Sequence, residues 1–60
     1  MTLAAIVGKR VELSMYNGWR LNGHFTGEEG IPGMEEFEEN TMGTICVKLD
    51  HISVLRRIDE

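Results

Sequence analysis

The sequence predicts an all-β protein, a small, strongly bent, five-stranded antiparallel barrel with at most a short N-terminal helical turn. Three observations carry this. Val11, Leu13 and Met15 recur with period two, as do Trp19, Leu21, Gly23 and Phe25, the pattern of half-buried strands that turn one face to a core. Gly23 falls in mid-strand, where a missing side chain marks a sharp bend or the close approach of another backbone, as closing a small barrel requires. Ile45, Val47 and Leu49 alternate in the same way near the other end of the chain, ahead of a further apolar stretch.

Taken in order, the elements begin at Thr2, which would cap a single helical turn through Leu3, Ala4, Ala5 and Ile6; an extended start fits equally well. Strands follow at about 8 to 16 and 18 to 27. The turn between them decides which residues share a face. A two-residue Asn17-Gly18 turn would set Leu13 against Asn22 and Val11 against His24, apolar against polar. A three-residue loop, Tyr16-Asn17-Gly18 with Gly18 left-handed, instead pairs Met15 with Trp19, Leu13 with Leu21 and Val11 with Gly23, and is the predicted register.

Residues 27 to 42 read as an acidic, turn-rich insertion. Gly27-Glu28-Glu29-Gly30-Ile31-Pro32-Gly33 is rich in turn formers, and a fifth strand falls somewhere in 31 to 38. Met34-Glu35-Glu36-Phe37-Glu38-Glu39 spaces its apolar residues by three, however, which suits a helical turn after Pro32 better than alternation, so strand and turn both stay open. The last two strands are drawn at about 43 to 49 and 52 to 57. An Asp50-His51 link would pair Leu49 with Ile52 and Val47 with Val54, leaving Leu55 and Ile58 outside the alternation and in need of cover from a neighbouring subunit.

Sixty residues make one domain, 1 to 60, which buries only about 60% of its unfolded surface and calls for a staple. Cys46 is the single cysteine, and no residues have metal-ligand spacing, so oligomerisation is the remaining staple. No apolar run approaches the ~20 residues of a membrane span, and Met1 to Val7 is too short for a secretory signal. A soluble, cytoplasmic protein with no cofactor is expected.

Charge is unevenly placed. The net of -4 arises because Glu28, Glu29, Glu35, Glu36, Glu38 and Glu39 lie in 27 to 40 with no base among them, while Lys9, Arg10 and Arg20 outweigh Glu12 in the segment before. A chain with pI ≈ 5.0 is a poor non-specific binder of phosphates, so any nucleic-acid contact must be local. His24 and His51 are the only histidines and Ser14 and Ser53 the only serines; their spacing matches no nucleophile elbow or triad, and no enzyme is expected. Trp19 has two readings, packing against Met15 at the hairpin tip or a stacking platform beside Tyr16 and Arg20.

A short apolar lead-in and Gly8, followed by Val11, Leu13, Asn17, Gly18, Gly23 and Phe25, resembles the first motif of the Sm and Sm-like (LSm) ring proteins, whose fold is a small SH3-like barrel. Val47-Lys48-Leu49-Asp50-His51-Ile52-Ser53-Val54-Leu55 is similar to their second motif, with Leu49 where the family has glycine and no counterpart of the family's Met-Asn strand between Gly27 and Gly43. In compactness the chain resembles the Sm-like proteins of phage and marine metagenomic sequences. The resemblance implies a homo-oligomeric ring that binds RNA or single-stranded nucleic acid at its pore loops, through Lys48, Asp50, His51 and, after the second strand, Glu29. It also implies a subunit contact at Ile45, Val54, Leu55, Arg56 and Ile58. The alternative is an oligomeric binding or adaptor module that sequesters a small nucleotide-like ligand or docks a protein partner, which the acidic balance and Leu49 favour.

Overall fold

A short apolar lead-in and a three-residue turn set up the first half of the molecule. In the computed structural model, in which residues 3–58 are described, Leu3–Ala5 form one 3-10 turn, held by the Leu3 carbonyl accepting from the Ile6 and Val7 N–H groups; Thr2 lies outside the described residues. β1 (Val11–Met15) and β2 (Arg20–Phe25) then pair antiparallel with Leu13 opposite Leu21 and Val11 opposite Gly23, the register the three-residue loop predicts. The loop closes by Gly18 N–H donating to the Met15 carbonyl and Met15 N–H to that of Trp19, with Gly18 at φ 95, a conformation open to glycine at no steric cost. Both strands are shorter than the sequence pattern suggests, because the chain turns at Gly8 and again past Phe25.

β3 (Glu35–Glu39) is a strand, which settles the alternative of a helical turn there. Ile31-Pro32-Gly33-Met34 reverses the chain instead of starting a helix: Met34 N–H donates to the Ile31 carbonyl, and Gly33 has φ 85, as expected for a turn with Pro-Gly at its centre. β3 pairs β2 with Phe25 opposite Phe37 and Gly23 opposite Glu39. At Gly23 the backbones come so close that an added Cβ would lie 1.8 Å from the Glu38 carbonyl oxygen, so of the two expectations for this glycine the close approach of another backbone is the one seen, and only glycine serves here. β4 (Gly43–Val47) pairs the other side of β3, with Phe37 opposite Ile45.

The predicted last hairpin is not formed. Leu49–His51 make a 3-10 turn that carries the chain away from β4, and β5 (Ile52–Arg57) pairs β1, giving one five-stranded antiparallel sheet in the order β4-β3-β2-β1-β5. Leu49 therefore does not face Ile52, nor Val47 Val54. An irregularity changes which residues point inward: Ser14 lies opposite Val54 but Met15 opposite Ile52, so Ser53 is an extra residue, and its hydroxyl donates to the Ser14 carbonyl. Past this bulge the alternation flips. Leu55, opposite Leu13, packs on the core, whereas Val54 is 59% exposed.

The core consists of Ile6, Val11, Leu13, Leu21, Phe25, Phe37 and Val47, with Phe25 and Phe37 edge-to-face at 4.9 Å. Among the described residues no helix is long and apolar enough to cross a membrane.

Candidate functional site

Two consequences of the register gather side chains at one end of the sheet. The β1–β2 loop projects Tyr16, Asn17 and Trp19, and β5 enters beside β1, so the Leu49–His51 turn lies against that loop. Tyr16 N–H donates to the His51 carbonyl at 2.9 Å, and His51 N–H donates to the Lys48 carbonyl at 3.0 Å. Asn17 Oδ1 accepts from Trp19 N–H at 3.0 Å, which braces the base of the exposed indole.

A cavity of about 260 Å³ opens at this end. Met15, Trp19 and Leu21 come to it from the first hairpin, Met34 and Met42 from either end of β3, Ile45, Cys46 and Val47 from β4, and Asn17, Lys48 and His51 supply its polar groups. A second hollow, lined by Met15, Tyr16, Asn17 and His51, continues it around the loop. Tyr16, Trp19 and Met42 are 75%, 60% and 50% exposed, a concentration of large apolar surface at one end of a small acidic protein.

Of the residues singled out in the sequence, Lys48 and His51 meet in this cavity. Asp50, exposed in the first turn of the 3-10 segment, lines neither hollow. Glu29 also stands apart, its carboxylate accepting from Gly33 N–H at 3.0 Å within its own turn. The segment that carries it does approach β4, since a Cβ on Gly30 would lie 2.9 Å from Cys46 Sγ. The three methionines, Asn17 and Cys46 were not legible as site residues. Their signal is weak, being only the presence of four methionines in sixty residues, in segments that only the folded sheet brings together.

The residues named for a subunit contact occupy both open edges. Ile45 sits on β4, half-buried against the core; Val54, Leu55 and Arg56 sit on β5, with Ile58 just beyond it, 37% exposed. Arg56 reaches across to β1, its guanidinium 2.8 Å from Glu12 Oε1. A further apolar hollow of about 280 Å³, lined by Leu3, Ile6, Leu49, Ile52, Ser53 and Leu55, runs along β5.

Three of the four glutamates of β3 are held rather than merely solvated. Glu36 accepts from the Thr26 hydroxyl and Glu38 from that of Thr44. Glu39, 9% exposed, accepts from the N–H groups of Met42, Asn22 and Thr41, and these bonds hold its carboxyl below the usual range, the Met42 bond contributing most and burial partly opposing. It is a structural carboxylate that closes the β3–β4 turn. Among the described residues no group of three or more His, Cys, Asp or Glu could hold a metal ion.

No protein-family model matches this chain, and no curated protein or solved structure is significantly similar to it.

Proposed function

We propose that the chain is a non-enzymatic module of the Sm-like kind, a small barrel whose copies join through β4 and β5 into a closed homo-oligomeric ring that binds RNA or single-stranded DNA at the Lys48–His51 end. The observation that carries this reading is the pairing of two features in one sheet. Both outer strands, β4 and β5, have one edge without a partner among the described residues, and the turn that joins them places Lys48 and His51 beside exposed Trp19 and Tyr16. Open edges are templates for strands of another chain, and a head-to-tail contact between different edges repeats until it closes. An aromatic face beside a lysine ammonium offers an unstacked base a stacking partner and its phosphate an opposite charge.

Glu29 and Asp50 enter this reading only through a ring, where loops of neighbouring copies face one opening. A second reading rests on the acidic balance and on Leu49, which stands where the resembled family has glycine: an oligomeric module that sequesters a small nucleotide-like ligand or docks a protein partner.

Native mass spectrometry of the purified protein tests the assembly. A ring with bound oligonucleotide supports the first reading, a ring holding single nucleotide-sized masses supports the second, and a monomer removes both. Val54→Asp is the variant of choice, because Val54 is exposed on β5 whereas Leu55 packs against the core and its substitution would also destabilise the subunit. Val54→Asp should dissociate the oligomer while leaving the far-ultraviolet spectrum intact. Binding should fall steeply with salt and weaken in Lys48→Ala.

A further inference from the structure

Resting on the nucleic-acid reading above, we infer that the hollow beside Trp19 is a stacking site for one unpaired base, with Lys48 and His51 placed for the adjoining phosphate. At about 260 Å³ it falls below the ~300–1,000 Å³ of pockets that enclose drug-sized ligands, and so suits a single flat ring. Its lining combines one indole with Met15, Met34 and Met42, whose thioethers adapt to rings of different outline and contact aromatic edges favourably. Adaptable walls around an aromatic face accept any base, and the Asn17 side-chain carbonyl oxygen in the lining is already engaged by the Trp19 backbone N–H. A base inside a duplex has no free face, so the site selects single strands.

A side chain from a second copy fits the same hollow less well. The exposed apolar residues available to fill it include Val54 and Ile58, which flank Arg57 and the Glu12-paired Arg56; seating them here would bring this end of β5, rather than a counter-charge, towards Lys48. A phosphate brings the opposite charge.

Trp19 is the only tryptophan, so its emission reports the site directly. The full chain is titrated into a short fluorescein-labelled oligothymidylate and, separately, an unlabelled one, reading anisotropy and indole emission in parallel, with inorganic polyphosphate as the charge control. The inference expects emission to quench along the same isotherm as the anisotropy rise, polyphosphate to quench far less, Trp19→Leu to weaken binding roughly tenfold and Trp19→Phe much less. Met42→Glu, at an exposed wall of the hollow, should weaken it too, and gives an independent variant should Trp19→Leu fail to fold. A rise in anisotropy with unchanged emission and unchanged Trp19→Leu affinity overturns the stacking site and leaves the nucleic-acid reading standing. No rise at all overturns that reading and the site with it. Equal quenching by polyphosphate overturns the base-specific part, and quenching that follows protein concentration alone assigns the hollow to a second copy.

Discussion

β2 carries Leu21, Gly23 and Phe25 towards the core, while β3, paired alongside it, carries Glu35, Phe37 and Glu39 in the same orientation. Both are strands, but β2 follows from its own alternation, whereas β3 has one apolar side chain among four carboxylates. What makes β3 a strand lies outside it. Phe37 is fully buried against Phe25, and Glu36, Glu38 and Glu39 each have a hydrogen-bond partner on a neighbouring segment. Carboxylates disfavour a sheet chiefly when they must be desolvated without partners, and here that cost is met residue by residue.

If a single anchor holds β3, Phe37→Ala should have the largest effect of any change in the strand. Truncating a buried Phe costs about 3–5 kcal/mol. A domain of this length has roughly 0.05–0.15 kcal/mol of stability per residue, so the variant should be unfolded or nearly so by circular dichroism. Phe25→Ala should match it, and a clearly milder Phe37→Ala would show that β3 is held by its glutamates instead. Gly23→Ala tests the junction of the two strands. Its Cβ meets a backbone carbonyl that cannot swing aside, and about 3 kcal/mol, the upper part of the overpacking range, should be lost in urea unfolding.

Glu39 distinguishes a bonded carboxylate from a solvated one. Its folded-state pKa is depressed, so the stability it contributes is present above the unfolded value of about 4.3 and is lost as pH falls through the lower folded value. Glu39→Gln should therefore melt earlier at neutral pH and show a flatter acid limb in a series of melting temperatures. A wild-type acid limb that Glu39→Gln leaves unchanged would remove this role. The smallest effect is expected at the Glu12–Arg56 pair, whose side chains are 23% and 67% exposed. Arg56→Ala should change monomer stability by about 0–1 kcal/mol, and less in high salt.

The last third of the chain shows where sequence reading reaches its limit. Ile52 to Leu55 reads as an alternating partner for Ile45 to Leu49, yet the 3-10 turn at Leu49–His51 delivers it to β1, and the bulge at Ser53 exchanges Leu55 for Val54 on the inner face. One inserted residue inverts every following side chain, and nothing local announces it. The candidate site was legible in Lys48 and His51, which lie in a recognisable loop, and in Trp19 as one of two readings. Met15, Met34 and Met42 come from three segments and line one hollow only when β1, β3 and β4 are packed together.

By itself the sequence determined the strands of the first hairpin, its register and the place where another backbone passes close to β2. These follow from local causes: a period of two, a turn whose length and left-handed glycine admit one pairing, and a glycine where another backbone passes. The tertiary structure decided that the glutamate run is a strand, that β5 crosses to β1, and that an aromatic and methionine-lined hollow forms beside Lys48 and His51. Those depend on contacts between residues distant in the chain, whose free energy exists only once the loops between them have closed.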